Sequence, residues 1–190
     1  MIMGAPLTIP RRTLTVDEYH KMGDVGVLRP EERVELIEGE MIEMAPIGAR
    51  HFAMVNKLCA LLVTAVATNG IVSIRNPIVL PPRNEPQPDL AILKPRPDYY
   101  ESQLPNAQDV LLLIEVADTT LEYDRDAKIP TYAQHAIPEV WLVNVQLNTL
   151  SIFLDPSPKG YRRLLTPRHG DLVVPHLLPT VQLAIAEILF

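Results

Sequence analysis

The sequence predicts a mixed α/β fold, and three features of the chain carry that prediction. Residues 110–117, VLLLIEVA, are apolar on both faces, as in a central strand covered from two sides. Residues 49–70 repeat apolar side chains at helical spacing, and residues 110–144 read as strand, helix and strand. Such a segment predicts a crossover connection between two strands of one sheet.

The length and composition are those of a globular protein of ordinary size. The 190 residues fit one domain, 1–190, with a substantial core, and 47% hydrophobic against 21% charged residues is a typical balance. Nineteen prolines against eight glycines predict many rigid connections.

Neither export nor membrane insertion is expected. Residues 1–12 lack the basic start and apolar core of a signal peptide. The longest apolar run, residues 58–67, is too short to span a bilayer. The single cysteine, Cys59, excludes an internal disulfide and suits a reducing compartment. We therefore expect a cytoplasmic protein.

The net charge of −6 counts against a general nucleic-acid binder, because phosphate contacts come from clustered Lys and Arg. The basic residues of this chain are scattered. An enzyme that meets nucleic acid only at a metal site stays compatible with this charge, since metal-binding acids themselves lower it.

In the N-terminal part we expect a helix, a hairpin and a second helix, over residues 13–22, 32–46 and 49–70. Thr15 is a suitable N-cap for the first helix, with Glu18 three residues later. Gly39 lies at the centre of the hairpin, where acidic and apolar residues alternate.

The remainder predicts strands joined by one helix. The expected strands are 71–75, 78–82, 88–93, 110–117 and 139–144, with an antiparallel extension over 149–155 and 161–166. The helix covers residues 124–135, and the tail 181–190 fits either a strand or a helix.

One acid, Glu115, interrupts the most apolar strand. A buried carboxylate is costly unless it is neutralised, paired or bound to a metal. Asp89 begins the neighbouring apolar strand 88–93, so pairing of the two strands would bring both carboxylates to one Mg²⁺ or Mn²⁺. Lys128 follows Asp124 by four residues, which places both on one helix face that continues to Tyr132.

Pro88-Asp89 followed by Glu115-Val116-Ala117 resembles the PD-(D/E)XK nuclease signature. The surrounding sequence is similar to the Uma-two family of restriction endonucleases over residues 12–190, nearly the whole chain. The segments that carry this resemblance are RVELIEGEMIEMAP (33–46) followed by His51, QPDLAIL (87–93), LLIEVADTTLEYDRDAKIPTYAQHAIPEVWLVN (112–144) and LLPTVQLAIAEILF (177–190).

The resemblance implies a restriction-endonuclease-like mixed sheet flanked by helices, with an N-terminal hairpin and a C-terminal antiparallel extension. It also implies divalent-metal-dependent cleavage of DNA. Asp89 and Glu115 would bind the metal, the main-chain carbonyl of Val116 would be a further ligand, and Lys128 would be the catalytic lysine. The signature's own lysine position is occupied by Ala117, so the lysine would have moved to the following helix.

The resemblance also gives supporting roles to Glu35 in the hairpin and His51 in the first core helix. One further departure is Pro130, which cannot lie inside a regular helix without losing a hydrogen bond. The helix that carries Lys128 should therefore start near Asp126 or bend.

Three alternatives stay open. Glu115 and Lys128 could form a core salt bridge and nothing more, and Asp89 could simply start a strand. The fold could then serve a non-catalytic interaction module that acts as a homodimer. A glycosidase acid/base pair is disfavoured, because aromatic residues make up only 5% of the chain.

Overall fold

The computed structural model describes residues 12–29 and 31–190, so most of the segment assessed for an export signal lies outside the described residues. The helices are α1 Val16–Asp24, α2 Ala49–Val66, α3 Leu121–Tyr123, α4 Ile129–Gln134 and α5 Ile185–Ile188, with a π-helical turn over Asp124–Lys128 between α3 and α4. The strands are β1 Val34–Ile37, β2 Glu40–Glu43, β3 Ile71–Ile74, β4 Leu90–Leu93, β5 Val110–Ala117, β6 Glu139–Asn144, β7 Thr149–Ser157, β8 Gly160–Leu165, β9 Leu172–Val173 and β10 Leu183–Ala184.

A six-stranded mixed sheet forms the centre of the fold, with its strands in the spatial order β3-β4-β5-β6-β7-β8. Strands β5 and β6 are parallel, and every other neighbouring pair in this sheet is antiparallel. The parallel pair is joined through the helical residues 121–134, so the predicted crossover is confirmed. Both β5 and β6 are buried along their whole length, as expected for central strands.

Helix α2 covers one face of this sheet. Its core residues recur every three or four positions, as in an amphipathic helix, and are Met54, Val55, Leu58, Leu62 and Val66. Phe52 and Val63, which also belong to the predicted apolar pattern, are instead 56% and 54% exposed. The opposite face of the sheet receives the crossover, where Ile129 and Tyr132 pack in one cluster with Leu113 of β5.

Among the described residues, one helix, Ala49–Asn69, is long and apolar enough to cross a membrane by length and composition alone. The expectation drawn from residues 58–67 was therefore wrong on length, because the residues before that run extend the apolar helix. The core helix of a soluble protein meets the same two criteria, and one side of α2 does lie in the core.

The N-terminal helix and hairpin form as predicted. The Thr15 hydroxyl accepts a hydrogen bond from the Glu18 main-chain N–H, and the Glu18 carboxylate accepts one from the Thr15 N–H. This capping box satisfies two N–H groups that would otherwise lack helical partners. In the hairpin, Glu38 and Gly39 both have positive φ, which suits a tight two-residue turn between β1 and β2.

We expect Gly39→Ala to destabilise the fold by about 2–4 kcal/mol. Gly39 has φ +79°, and a Cβ there would lie 2.5 Å from Thr13 Cβ and 2.7 Å from the Leu14 carbonyl oxygen. Urea unfolding measures the effect. Gly170→Ala is the matched control, since nothing lies within 4 Å of its Cβ position. Equal stability of the two variants would contradict this account of the turn.

Two predicted elements differ from the structure. Residues 78–82 form isolated bridges at Val79 and Leu80 but no strand, because Pro81 and Pro82 have no N–H to donate to a ladder. Ile78 and Leu80 are nevertheless fully buried, which explains the strand-like pattern. The C-terminal tail contains both candidate structures, the short strand β10 and then the short helix α5.

The helical segment before β6 starts at Leu121, so of the two alternatives expected for Pro130 the start near Asp126 was wrong, and the helix is instead irregular just before the proline. Asp124–Lys128 form the π-helical turn, and Pro130 follows in the first turn of α4. A proline is tolerated there because the first N–H groups of a helix have no partner within that helix.

Candidate active site

Three charged side chains lie in a row across neighbouring strands. The ladders pair Ile74 with Leu90 and Leu90 with Ile114, so the residues just beyond them, Arg75, Asp89 and Glu115, are also neighbours. The Arg75 N–H donates to the Asp89 main-chain oxygen at 3.1 Å. Residues directly opposite each other on antiparallel strands point to the same face. Asp89 and Glu115 therefore share one face, as the sequence predicted.

That face opens into a cavity of about 380 Å³. All of the residues that the sequence assigned to a site contribute to its lining, namely Glu35, His51, Asp89, Glu115, Val116 and Lys128. One wall is apolar and comes from the segment that leads from β2 to α2, with Ile42, Met44, Ala45, Pro46 and Ile47. The cavity thus combines charged groups at the strand ends with an apolar wall.

The ammonium group of Lys128 lies at the base of the cavity between two carboxylates. Its Nζ is 2.9 Å from Glu115 Oε1 and 3.2 Å from Glu35 Oε2, and the side chain is only 4% exposed. The hydroxyl of Tyr132 also donates to Glu115 Oε1, at 2.5 Å. These contacts explain how an acid is accommodated in the most apolar strand, since a cation and a hydroxyl both contact the Glu115 carboxylate.

Glu35 is held by three donors from different parts of the chain. Its Oε2 accepts from the Gln87 N–H at 3.0 Å as well as contacting Lys128, and its Oε1 accepts from the Tyr123 hydroxyl at 3.2 Å. The residue is 3% exposed. The hairpin strand β1 therefore supplies an acid that fixes the position of the lysine.

His51 links Asp89 to Arg75. The ring accepts from Arg75 Nη2 at its Nδ1, 3.1 Å away, so the neutral ring carries its proton on Nε2 and donates it to Asp89 Oδ2 at 2.9 Å. The Val116 N–H donates to the same carboxylate oxygen at 3.0 Å. Asp89 is thus oriented from two sides.

Burial controls the electrostatics of the site. Removal from water raises the pKa of the Glu115 carboxyl to about 8, against the lowering effect of Lys128. Burial also raises the pKa of Asp124, again opposed by Lys128. For Lys128 itself, burial alone would lower the pKa, but Glu115, Glu35 and Asp124 outweigh it and raise the pKa above its ordinary value. The ammonium is therefore charged at neutral pH.

Two residues of the site were missed as functional candidates. Asp124, read as part of a turn and helix cap, is 5% exposed, lines the cavity and accepts from the Thr120 hydroxyl at 2.6 Å. Its spacing from Lys128 was the available signal, since both lie in the π-helical turn. Arg75 had no signal in the sequence, because its role follows from the pairing of β3 with β4.

The donor set fits a hard divalent cation held by few protein ligands. Asp89 and Glu115 offer carboxylate oxygens on one face of the sheet. Within residues 12–29 and 31–190, no group of three or more His, Cys, Asp or Glu side chains is arranged to hold a metal ion. Mg²⁺ commonly takes one or two carboxylates and keeps several waters, so these two acids suit it better than a cation that needs a complete protein cage.

The mixed sheet flanked by helices is a fold that a solved structure shares. A crystal structure from Anabaena variabilis ATCC 29413, described as "a putative nuclease belonging to DUF820", matches with a TM-score of 0.71. The match covers 92% of this chain and 97% of that one, at 17% sequence identity. At this identity the likeness shows a shared fold, which confirms the predicted fold class.

The family follows from the sequence itself. Residues 16–186 match the model of the Uma2 family, described as "Putative restriction endonuclease". The chain belongs to this family, as the resemblance predicted. Among curated proteins, none is detectably similar to the chain in sequence.

Proposed function

We propose that this protein is a divalent-metal-dependent endonuclease that hydrolyses phosphodiester bonds of DNA. The observation that carries the proposal is the meeting of Asp89 and Glu115 at one cavity, with the ammonium of Lys128 2.9 Å from Glu115. Membership of a family of restriction-endonuclease-like proteins supports it. The homodimer and the cytoplasmic location stay predictions.

In this proposal Asp89, Glu115 and the main-chain carbonyl of Val116 hold Mg²⁺ or Mn²⁺. Such an ion, when bound, lowers the pKa of a coordinated water and offsets negative charge on the phosphate. Lys128 supplies a fixed positive charge beside Glu115, where charge develops during attack on phosphorus. Because the lysine is already oriented, little reorganisation is needed at the moment of reaction.

Glu35 and His51 act through other residues in this scheme. Glu35 positions the ammonium of Lys128, and three donors fix Glu35 in turn. His51 donates to Asp89 Oδ2 and so leaves the other oxygen, Oδ1, directed towards the arginine side of the site. Both are therefore positioning residues.

Removal of divalent cations should abolish cleavage. We expect purified protein to convert supercoiled plasmid to nicked and linear forms with Mg²⁺ or Mn²⁺, and not with EDTA. In this proposal the nucleophile is a water activated by the cation that the two carboxylates hold, so no attack is expected without the cation. Agarose gels measure the conversion, and renewed addition of Mg²⁺ after EDTA should restore it. Cleavage of equal rate in EDTA would contradict the proposal. Absence of cleavage with either metal, together with no cation binding by calorimetry, would favour the interaction module.

A further inference from the structure

Arg75 directs an arginine side chain into the candidate site from the end of β3. Its main chain has φ +53°, a left-handed conformation that is uncommon for residues other than glycine. The hydrogen bond from its N–H to Asp89 holds this conformation. The side chain is 24% exposed and lines the cavity.

The guanidinium group has unused hydrogen-bonding capacity. Nη2 donates to His51, whereas Nε lies 3.5 Å from Asp89 Oδ1, a salt-bridge contact without a hydrogen bond. Nε is also the one buried side-chain polar atom without a hydrogen-bond partner among the described residues. Buried polar groups are normally satisfied, so an unsatisfied one at a cavity calls for an explanation.

The charges next to Arg75 point to an anionic partner for this group. Among the described lining residues, three side chains are cationic, Arg33, Arg75 and Lys128, and six are acidic, Glu35, Glu43, Asp89, Glu115, Asp118 and Asp124, so attraction for an anion is local to a cationic side chain. Lys128 is paired with Glu35 and Glu115, and the hydrogen bond of Arg33 goes to the Ala45 carbonyl. Arg75 is the one of the three that contacts Asp89. A cation bound at Asp89 would leave Arg75 as excess positive charge until an anion arrives.

We propose that Arg75 binds a non-bridging oxygen of the phosphodiester, an inference that rests on the proposed function. Arginine suits this task because its planar group presents several N–H donors to one phosphate and stays charged at any relevant pH. The contact with His51 keeps the guanidinium plane at the strand end, and the side chain lines the cavity. Arg75 thereby contributes to recognition of a charged, unesterified phosphate oxygen.

The first test measures binding without turnover. The probe is the thymidine dinucleotide with one phosphodiester, compared with its uncharged methylphosphonate counterpart, both in Ca²⁺ buffer. The readout is the ¹⁵N–¹H signal of the Arg75 Nε–H group, assigned by its absence in Arg75→Lys. We expect the signal to shift with the charged dinucleotide and to stay in place with the neutral one. Equal shifts with both probes, or no shift while other cavity signals move, would overturn the inference.

The second test separates phosphate binding from support of His51. Arg75→Gln keeps a donor for His51 Nδ1 and removes the charge, whereas Arg75→Lys keeps the charge. We expect Arg75→Gln to lower kcat/KM on DNA about 10- to 100-fold, the effect of losing one charged hydrogen bond, and Arg75→Lys to recover part of that loss. Wild-type activity in a folded Arg75→Gln variant would refute a phosphate contact.

Arg50→Ala is the matched control. Arg50 is exposed and precedes His51 on α2, but it does not line the cavity. Its loss should change kcat/KM less than twofold, since a surface charge that makes no site contact contributes little. If wild-type protein cleaves no DNA, the proposed function fails, while the dinucleotide shift still reports on Arg75 by itself.

Discussion

Asp89→Asn should abolish metal-dependent cleavage while leaving the fold intact. We expect the rate of plasmid nicking to fall about 10³-fold, near the upper effect of removing one group that stabilises charge at a reacting centre. Asparagine has nearly the same shape, and its carbonyl oxygen can still accept from the Val116 N–H and from His51. What it loses is the negative charge that a hard cation requires.

The control for this substitution is Asp126→Asn. Asp126 is exposed on the π-helical turn and pairs with Arg125, so the same chemical change occurs close to the site but outside it. We expect wild-type cleavage from this variant and unchanged unfolding temperatures for both. Residual activity in Asp89→Asn equal to that of Asp126→Asn would remove Asp89 from the reaction. Calorimetry with Mn²⁺ provides a second readout, since Asp89→Asn should bind the cation far more weakly.

Glu115 was recognisable in the sequence because of where it stands. An acid inside an apolar strand breaks a strong pattern, and a buried charge must be compensated by some other group. Lys128 was chosen by its four-residue spacing from Asp124 and by the family resemblance, and the structure places its Nζ 2.9 Å from Glu115. The unusual position of Glu115 also directed attention to Asp89, because another apolar strand in the sequence begins with that acid. The structure places this strand beside β5.

Arg75 illustrates what the sequence could not reveal. Its importance depends on the register between β3 and β4, which places it beside Asp89, and on the rotation of α2, which brings His51 to it. Neither register nor rotation is encoded in a local pattern around residue 75. Residues 78–82 show the same limit for the fold, since their alternating apolar side chains enter the core without joining the ladder.

Lys128→Met should destabilise the protein and remove cleavage, through two effects that can be measured separately. Methionine fills a similar volume but leaves Glu35 and Glu115 buried without their cation. Loss of one partner from a buried ion pair typically costs about 3–5 kcal/mol, because the remaining charge stays out of water. We expect the free energy of unfolding to fall by this amount above about pH 8, where Glu115 ionises in the folded wild-type protein.

The loss should be larger above pH 8 than at neutral pH, and the sign follows from Glu115. Burial raises the pKa of this carboxyl to about 8 even in the presence of Lys128, against an ordinary value of 4.5. A raised pKa in the folded state contributes stability below the unfolded value, and that stability is lost as pH rises through the folded value. Without the lysine the pKa of Glu115 rises further, so the deficit of the variant grows as the pH rises above about 8, where the carboxyl ionises in the folded wild type but stays protonated in the folded variant. Urea unfolding at neutral pH and at a pH well above 8 tests this, with exposed Lys94→Met as the control.

Cleavage by Lys128→Met then decides between a catalytic and a purely structural lysine. At a pH where the variant is folded, a catalytic ammonium predicts cleavage about 10²- to 10³-fold slower than wild type. A salt bridge that only stabilises the core predicts a less stable protein whose folded fraction cleaves at the wild-type rate. Rates must therefore be compared per folded molecule, without urea and at a pH where unfolding is negligible. The two roles can be separated because stability compares the folded with the unfolded protein, whereas the cleavage rate per folded molecule depends on the folded protein alone.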